Sequence, residues 1–234
     1  MDFELLILFD NFVGKSGFKN GWGYSALVNV SNTLLLFDTG SDPGILLHNI
    51  RKAGVDLKRV PYLALSHYHW DHTGGIETVI RLNPEIKVFA GSSFAGELKK
   101  KYPKVEVIEV GKKPFQITKE LWLTGELEGV VKENSLVVNT EKGVAVIMGC
   151  AHPGVINILK RAKEIIKKDI YLIAGGLHLL DKTISELGEI AEYIDKLGVR
   201  VVAPSHCTGE EALKFFKNYF KNKFVKVGAG SILK

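Results

Sequence analysis

Cysteine and methionine are scarce, with two of each in 234 residues. Cys150 and Cys207 are too few for a disulfide framework, which excludes a stapled secreted fold and makes a reducing cytoplasm the natural compartment. Long apolar runs are missing too, and no stretch reaches the length that spans a bilayer. The apolar start, residues 1–10, is short and acidic and lacks the positive leader of a signal peptide. No internal repeat or low-complexity linker divides the chain. Excess charge is small, at a formal +5. The lysines, as at Lys99–Lys101 and Lys167–Lys168, are scattered over predicted helices. They read as a solvated surface rather than a nucleic-acid track. Few sulfur residues beside many lysines and glutamates suit a thermophile.

What is present is core. Hydrophobic residues make up 46% of the chain, ample for one large domain over residues 1–234. Residues 3–9 read as a strand, and 25–30 with 33–37 as a hairpin around Ser31-Asn32. Between them lies a glycine-containing loop that holds Phe12, Phe18, Trp22 and Tyr24, aromatics suited either to an exposed pocket mouth or to ordinary packing. A helix starting at Pro43 follows Asp38-Thr39-Gly40. His48 in that helix reads as a surface or packing residue. Strands are expected at 62–65, 86–90, 105–109, 170–174 and 199–203. Residues 115–124 and 136–148 read as strands of a second sheet, with a hairpin turn at Asn139–Gly143. The polar, glycine-containing Gly125–Asn134 between them reads as a loop near the site. Helices are expected at 76–82, 92–101, 155–167 and 184–197. Thr208 is expected to cap a final helix, with Glu211 completing a capping box. The halves 1–125 and 126–234 each read as strands followed by helices. That pattern points to an α/β (α+β) chain, two sheets face to face with helices outside.

The densest chemistry lies in Ser66-His67-Tyr68-His69-Trp70-Asp71-His72-Thr73-Gly74-Gly75. It follows the apolar run Tyr62–Leu65 and precedes a helix, so it sits at a strand's carboxyl end, where α/β sheets place ligands. Imidazole and carboxylate are ligands that zinc and its neighbours prefer. His67 and His69, two apart, can face one ion, with Asp71 and His72 turned toward a second. His152 and His206 also stand at strand ends, each just before a helix.

The pattern H-x-H-x-D-H resembles the signature of the metallo-β-lactamase superfamily, and the resemblance runs from Asp38 to His206. It implies an αββα sandwich with metals along one edge, between the sheets. It implies a first metal site from His67, His69 and His152, and a second from Asp71, His72 and His206. Asp71 would also serve catalysis, and Asp38 would orient a ligand histidine. The implied cofactors are two divalent ions, Zn2+ foremost, with Mn2+ or Fe2+ as alternatives. Many dinuclear members have a bridging aspartate where this chain has Gly175-Gly176-Leu177-His178. His178 can replace that bridge, contact substrate, or pack. Cys150 and Cys207 flank ligands and read as packing residues.

The segments Gly149–Gly154, Gly175–Leu179 and Pro204–Gly209 resemble the branch containing an archaeal dihydropterin–aminobenzene ribose phosphate synthase. That resemblance implies a transferase acting on a small, anionic, phosphorylated substrate, with Trp22 and Tyr24 stacking on the pterin. A general hydrolase of phosphoester, thioester or lactone bonds is the rival reading. A noncatalytic metal-binding or sensing protein is a further one. No nucleic acid or membrane partner is implied, and a homo-oligomer is compatible with the sequence.

Overall fold

Strict alternation of inward and outward residues organises the chain. In the strand Gly143–Met148, Ala145 and Ile147 point to one face, and Val144, Val146 and Met148 to the other. All five are fully buried, so both faces of the strand are covered. The computed structural model describes residues 3–234. Met1 and Asp2, the first residues of the short acidic start, lie outside the described residues.

The first sheet contains β1 (Phe3–Phe9), β2 (Ser25–Val30), β3 (Thr33–Phe37), β4 (Tyr62–Ala64), β5 (Lys87–Gly91) and β6 (Val107–Val110) in spatial sequence. Antiparallel pairing joins β1 to β2 and β2 to β3, and parallel pairing continues from β3 through β6. The β2–β3 turn places Ser31 and Asn32 at φ 49° and 63°. That is the type I′ geometry that matches strand twist. Helices α1 (Pro43–Lys52), α2 (Trp70–Thr73), α3 (Ile76–Leu82) and α4 (Ala95–Lys101) fill the parallel crossovers. Asp42, not Asp38, caps α1, accepting from the Gly44 and Ile45 amides.

The second sheet runs β7 (Phe115–Gln116), β8 (Leu121–Leu123), β9 (Leu136–Thr140), β10 (Gly143–Met148), β11 (Ile170–Gly176) and β12 (Val201–Ser205). Its last three strands are parallel, linked through α5 (Val155–Ile165) and α6 (Ile184–Lys196). Helix α7 (Glu210–Phe220) follows, and β13 (Ile232–Leu233) returns to pair with β1.

Three apolar layers result. Leu5, Val28, Leu35 and Phe37 meet Leu136, Val138, Ala145 and Ile147 between the sheets. The outer faces pack on α1, α3 and α4 on one side and on α5, α6 and α7 on the other. This is the expected αββα sandwich.

Some boundaries differ from expectation. Residues 115–124 belong to the second sheet, as expected, because β7 and β8 pair with β9, so the boundary between the sheets falls before Phe115 rather than at the 125 division of the halves. The two-residue β13, too short for periodicity to reveal, belongs to the first sheet. Thr208 does not cap α7: it lies in a 3-10 turn, its hydroxyl donates to Ser205 O, and Gly209 at φ 86° precedes the helix. The capping box is instead at α6, where Thr183 and Glu186 bond reciprocally.

Ile147 is fully buried between the sheets. Ile147→Ala is expected to cost about 2–5 kcal/mol of stability. Urea denaturation should show a lower midpoint at unchanged slope, and a loss below about 1 kcal/mol would contradict this packing.

Candidate metal centre

Strand ends build the site. Asp38 leaves β3, Ser66 and His67 follow β4, Cys150 and His152 follow β10, His178 follows β11, and His206 follows β12. Asp38, Ala151, His178 and His206 have left-handed backbones, at φ 58°, 61°, 49° and 49°. Non-glycine residues adopt that region at a cost, and here the cost falls where each strand turns its side chains into the cleft.

The histidines converge. His67 Nε2 lies 3.0 Å from His69 Nδ1, and the His67 and His152 rings stand 4.7 Å apart. His72 Nε2 lies 3.2 Å from His206 Nε2. Asp71 Oδ2 is 3.4 Å from His206 Nε2 and 3.8 Å from His72 Nε2. All six residues expected at the metals therefore face one cleft, in two groups.

Oxygen atoms behind the rings set their orientation. His72 Nδ1 is 2.7 Å from Asp38 Oδ2. The same carboxylate accepts from the Ser66 amide and hydroxyl. The Ser66 oxygen is thereby left to accept from His67 Nδ1, 2.8 Å away. His152 Nδ1 is 2.8 Å from Glu133 Oε2, and His206 Nδ1 is 2.9 Å from Asn11 Oδ1. Nδ1 of His67, His72, His152 and His206 therefore carries its proton toward an oxygen and Nε2 presents a lone pair to the cleft, whereas His69 turns Nδ1 toward His67 Nε2. Lone pairs facing at 3.2 Å repel unless a cation lies between them. That donor set, imidazoles plus a carboxylate, fits a zinc-like divalent ion.

Two anchors escape sequence reading. Glu133 is wholly buried and accepts from the backbone amides of Cys150, Ala151 and His152 as well as from the His152 ring. It lies in the polar, glycine-containing loop Gly125–Asn134, which reads as a loop near the site without singling out Glu133. Asn11 also holds Gly23 N through Oδ1 and gives Nδ2 to His206 O. It hides in the glycine-containing loop after β1.

Other expectations divide. Trp22 is 49% exposed, with its ring 5.7 Å from that of His206. Tyr24 corrects the expectation of an exposed, pterin-stacking aromatic. It is 0% exposed and packs in the inter-sheet core, because the loop chain dives inward after Gly23. Phe18 is buried as well. The His178 ring lies beside that of His152, 4.5 Å away and tilted by 46°, and is only partly buried. His48 stays at the surface, bonded to Gly17 O, as expected. Cys150 is buried, yet its sulfur lies 3.2 Å from His72 Nε2 and 3.3 Å from His206 Nε2, which is not a mere packing position.

Residues 22–88 match the family model for the metallo-β-lactamase superfamily. An uncharacterised protein of Methanocaldococcus jannaschii is 30% identical, over 97% of this chain and 98% of that one. The same organism's 7,8-dihydropterin-6-methyl-4-(β-D-ribofuranosyl)-aminobenzene-5′-phosphate synthase is 28% identical, over 99% of this chain and 96% of that one. A solved metal-dependent hydrolase of the β-lactamase superfamily superposes with a TM-score of 0.86 at 29% identity, covering 100% of this chain and 99% of that one. The chain belongs to the metallo-β-lactamase superfamily. It is a metal-dependent enzyme of that superfamily. No helix among the described residues is long and apolar enough to cross a membrane.

Electrostatics follow from burial. Burial pushes His67 and His72 down to about 3. It raises Asp38 to about 7 and Asp10 to about 6. Burial also disfavours the Glu133 and Asp71 carboxylates, but contacts with His152 and His206 and nearby imidazole charges hold both below the usual carboxylate range. Between about pH 4 and 6 these shifts oppose one another in the metal-free protein. The neutral histidines lose stability as the pH falls, and the raised aspartates lose it as the pH rises. Below about pH 4 the raised aspartates drop out, and Glu133 and Asp71 join the histidines. The metal-free melting temperature is therefore expected to stay nearly level down to about pH 4 and then fall steeply. A steep fall already between about pH 6 and 5, measured by thermal scanning, would contradict this balance.

Glu133 orients His152 and locks three amides. Glu133→Gln is expected to weaken metal binding by about 10–100-fold in a competitive chelator titration. Glu128→Gln, on the exposed surface, is expected to leave it unchanged. Equal affinities in the two variants would contradict the role of Glu133.

Proposed function

We propose that this chain transfers a dihydropterinylmethyl group from its diphosphate to an aminobenzene ribose phosphate, releasing pyrophosphate. The reading is carried by the near full-length relationship to the synthase, joined to a convergent histidine centre beside an exposed aromatic ring. In this reaction the acceptor amine attacks the methylene carbon. The carbon–oxygen bond to the diphosphate breaks, and pyrophosphate leaves with the electron pair while the amine gives up a proton.

His67, His69 and His152 would hold one divalent ion and Asp71, His72 and His206 another, with zinc the best match to the donors. Bound there, the ions would neutralise negative charge on the leaving group. The remaining work falls to the chain. Trp22 offers a half-exposed face to a planar heteroaromatic ring. His178 stands over His152 at the rim, and contact with Cys207 raises its affinity for a proton. In this reading it would give a hydrogen bond to a phosphate oxygen. Asp38, Ser66, Glu133 and Asn11 keep the ligand lone pairs aimed while substrate enters and leaves. The substrate of this reading is small, anionic and phosphorylated, with no part for nucleic acid or membrane.

A second reading, a metal-dependent hydrolase, is favoured by the likeness to a solved protein described in those words. It needs water in place of the acceptor amine.

The test is pyrophosphate release from dihydropterinylmethyl diphosphate by metal-loaded protein, with and without the acceptor. Release that requires the acceptor is expected, and His178→Ala is expected to lower kcat/KM by about tenfold or more at unchanged melting temperature. Release without acceptor would replace the transferase reading by the hydrolase. No release in either case would remove this substrate.

A further inference from the structure

We infer that Cys150, as its thiolate, bridges the two cation positions of this centre, in the place that a carboxylate would otherwise take. The inference rests on the metal-centre reading above but not on the substrate.

Position is the first ground. The sulfur of Cys150 forms one close group with the ligand nitrogens of His72 and His206 and another with those of His67 and His152. Within each group all atoms lie inside 4.8 Å of one another. It is thus common to both halves of the centre. Cys207 is not: among the described residues its sulfur groups only with Cys150 and His178, and it donates to Cys150 O at 3.7 Å.

Rigidity is the second. The Cys150 amide is bonded to Glu133 Oε1, and the Ala151 and His152 amides are bonded to the same carboxylate. The anchor that orients His152 therefore also fixes the thiol. Cys150 is 3% exposed, so its sulfur is shielded from bulk water.

Space is the third. At the end of β11, a side chain on Gly176 would strike Gly149 O, and its Cβ would lie 2.6 Å from Cys207 Sγ and 3.1 Å from His206 Cδ2. No carboxylate can enter from that position. His178, two residues on, turns its ring onto His152 instead. The thiol from β10 fills the gap left between the histidine groups.

The chemistry is balanced. Metal binding releases the thiol proton to solvent, and the resulting thiolate shares its lone pairs between two ions. A soft donor of this kind favours zinc, cobalt or ferrous iron over manganese or magnesium.

The probe is Co2+ added to metal-free protein, read by stoichiometry and by absorption. The wild type is expected to bind two equivalents and to show a near-ultraviolet sulfur-to-cobalt charge-transfer band. That band is expected to persist in Cys207→Ser and vanish in Cys150→Ala. Cys150→Ala should keep its far-ultraviolet circular dichroism, and its weaker-bound cobalt should lose affinity by about tenfold or more. The wild-type spectrum requires no variant to fold. Cobalt bound with visible ligand-field bands but no charge-transfer band would overturn the bridge and leave the histidine centre standing. A band that survives Cys150→Ala would do the same. Failure of the wild type to bind cobalt at all would overturn the metal-centre reading itself.

Discussion

Two buried carboxylates hold this centre together. Asp38 bonds the His72 ring and both polar groups of Ser66, and through Ser66 it reaches His67. Glu133 bonds the His152 ring and three successive amides. Each lies fully out of water, where an ionised carboxylate is costly unless several donors surround it. At Glu133 the backbone and imidazole donors meet that need, whereas at Asp38 burial outweighs them and raises the carboxyl to about 7. In return the carboxylates determine which nitrogen of each ring faces the cleft. Without them the lone pairs would not converge, and the same residue types would make only a polar pocket.

The sandwich exists to bring these groups together. Parallel strands β3, β4, β10, β11 and β12 all end on one edge, and their outer faces are sealed by helices. Because the strands are held from both sides, their ends can carry strained turns. Four non-glycine residues in left-handed backbone mark that edge, and each is, orients or neighbours one of the converging histidines. The core stabilises the strain that the site requires. The metal-free centre also stores electrostatic tension, since neutral histidines held near one another gain by taking up cations.

Local patterning made much of this legible. The hairpin around Ser31-Asn32, the alternation in residues 143–148 and the apolar run before Ser66 are short-range features, and periodicity reads them directly. The H-x-H-x-D-H spacing is likewise local, so four candidate ligands could be named from ten residues. Tyr24 was misjudged because a glycine-containing loop reads as exposed, whereas the chain after Gly23 turns into the core. Thr208 was misjudged because its hydroxyl finds a nearer acceptor in Ser205.

Residue order and spacing pointed to two layered sheets and to strand ends as the place of chemistry, and the family resemblance carried by H-x-H-x-D-H implied the histidines as candidate donors. Tertiary structure decided which atoms meet across the sheets: Glu133 with His152, Asn11 with His206, and the Cys150 sulfur with both histidine groups. The reason is physical. Spacing governs only neighbours on one element, while contacts between residues as far apart as Asn11 and His206 depend on sheet register and on where each strand stops.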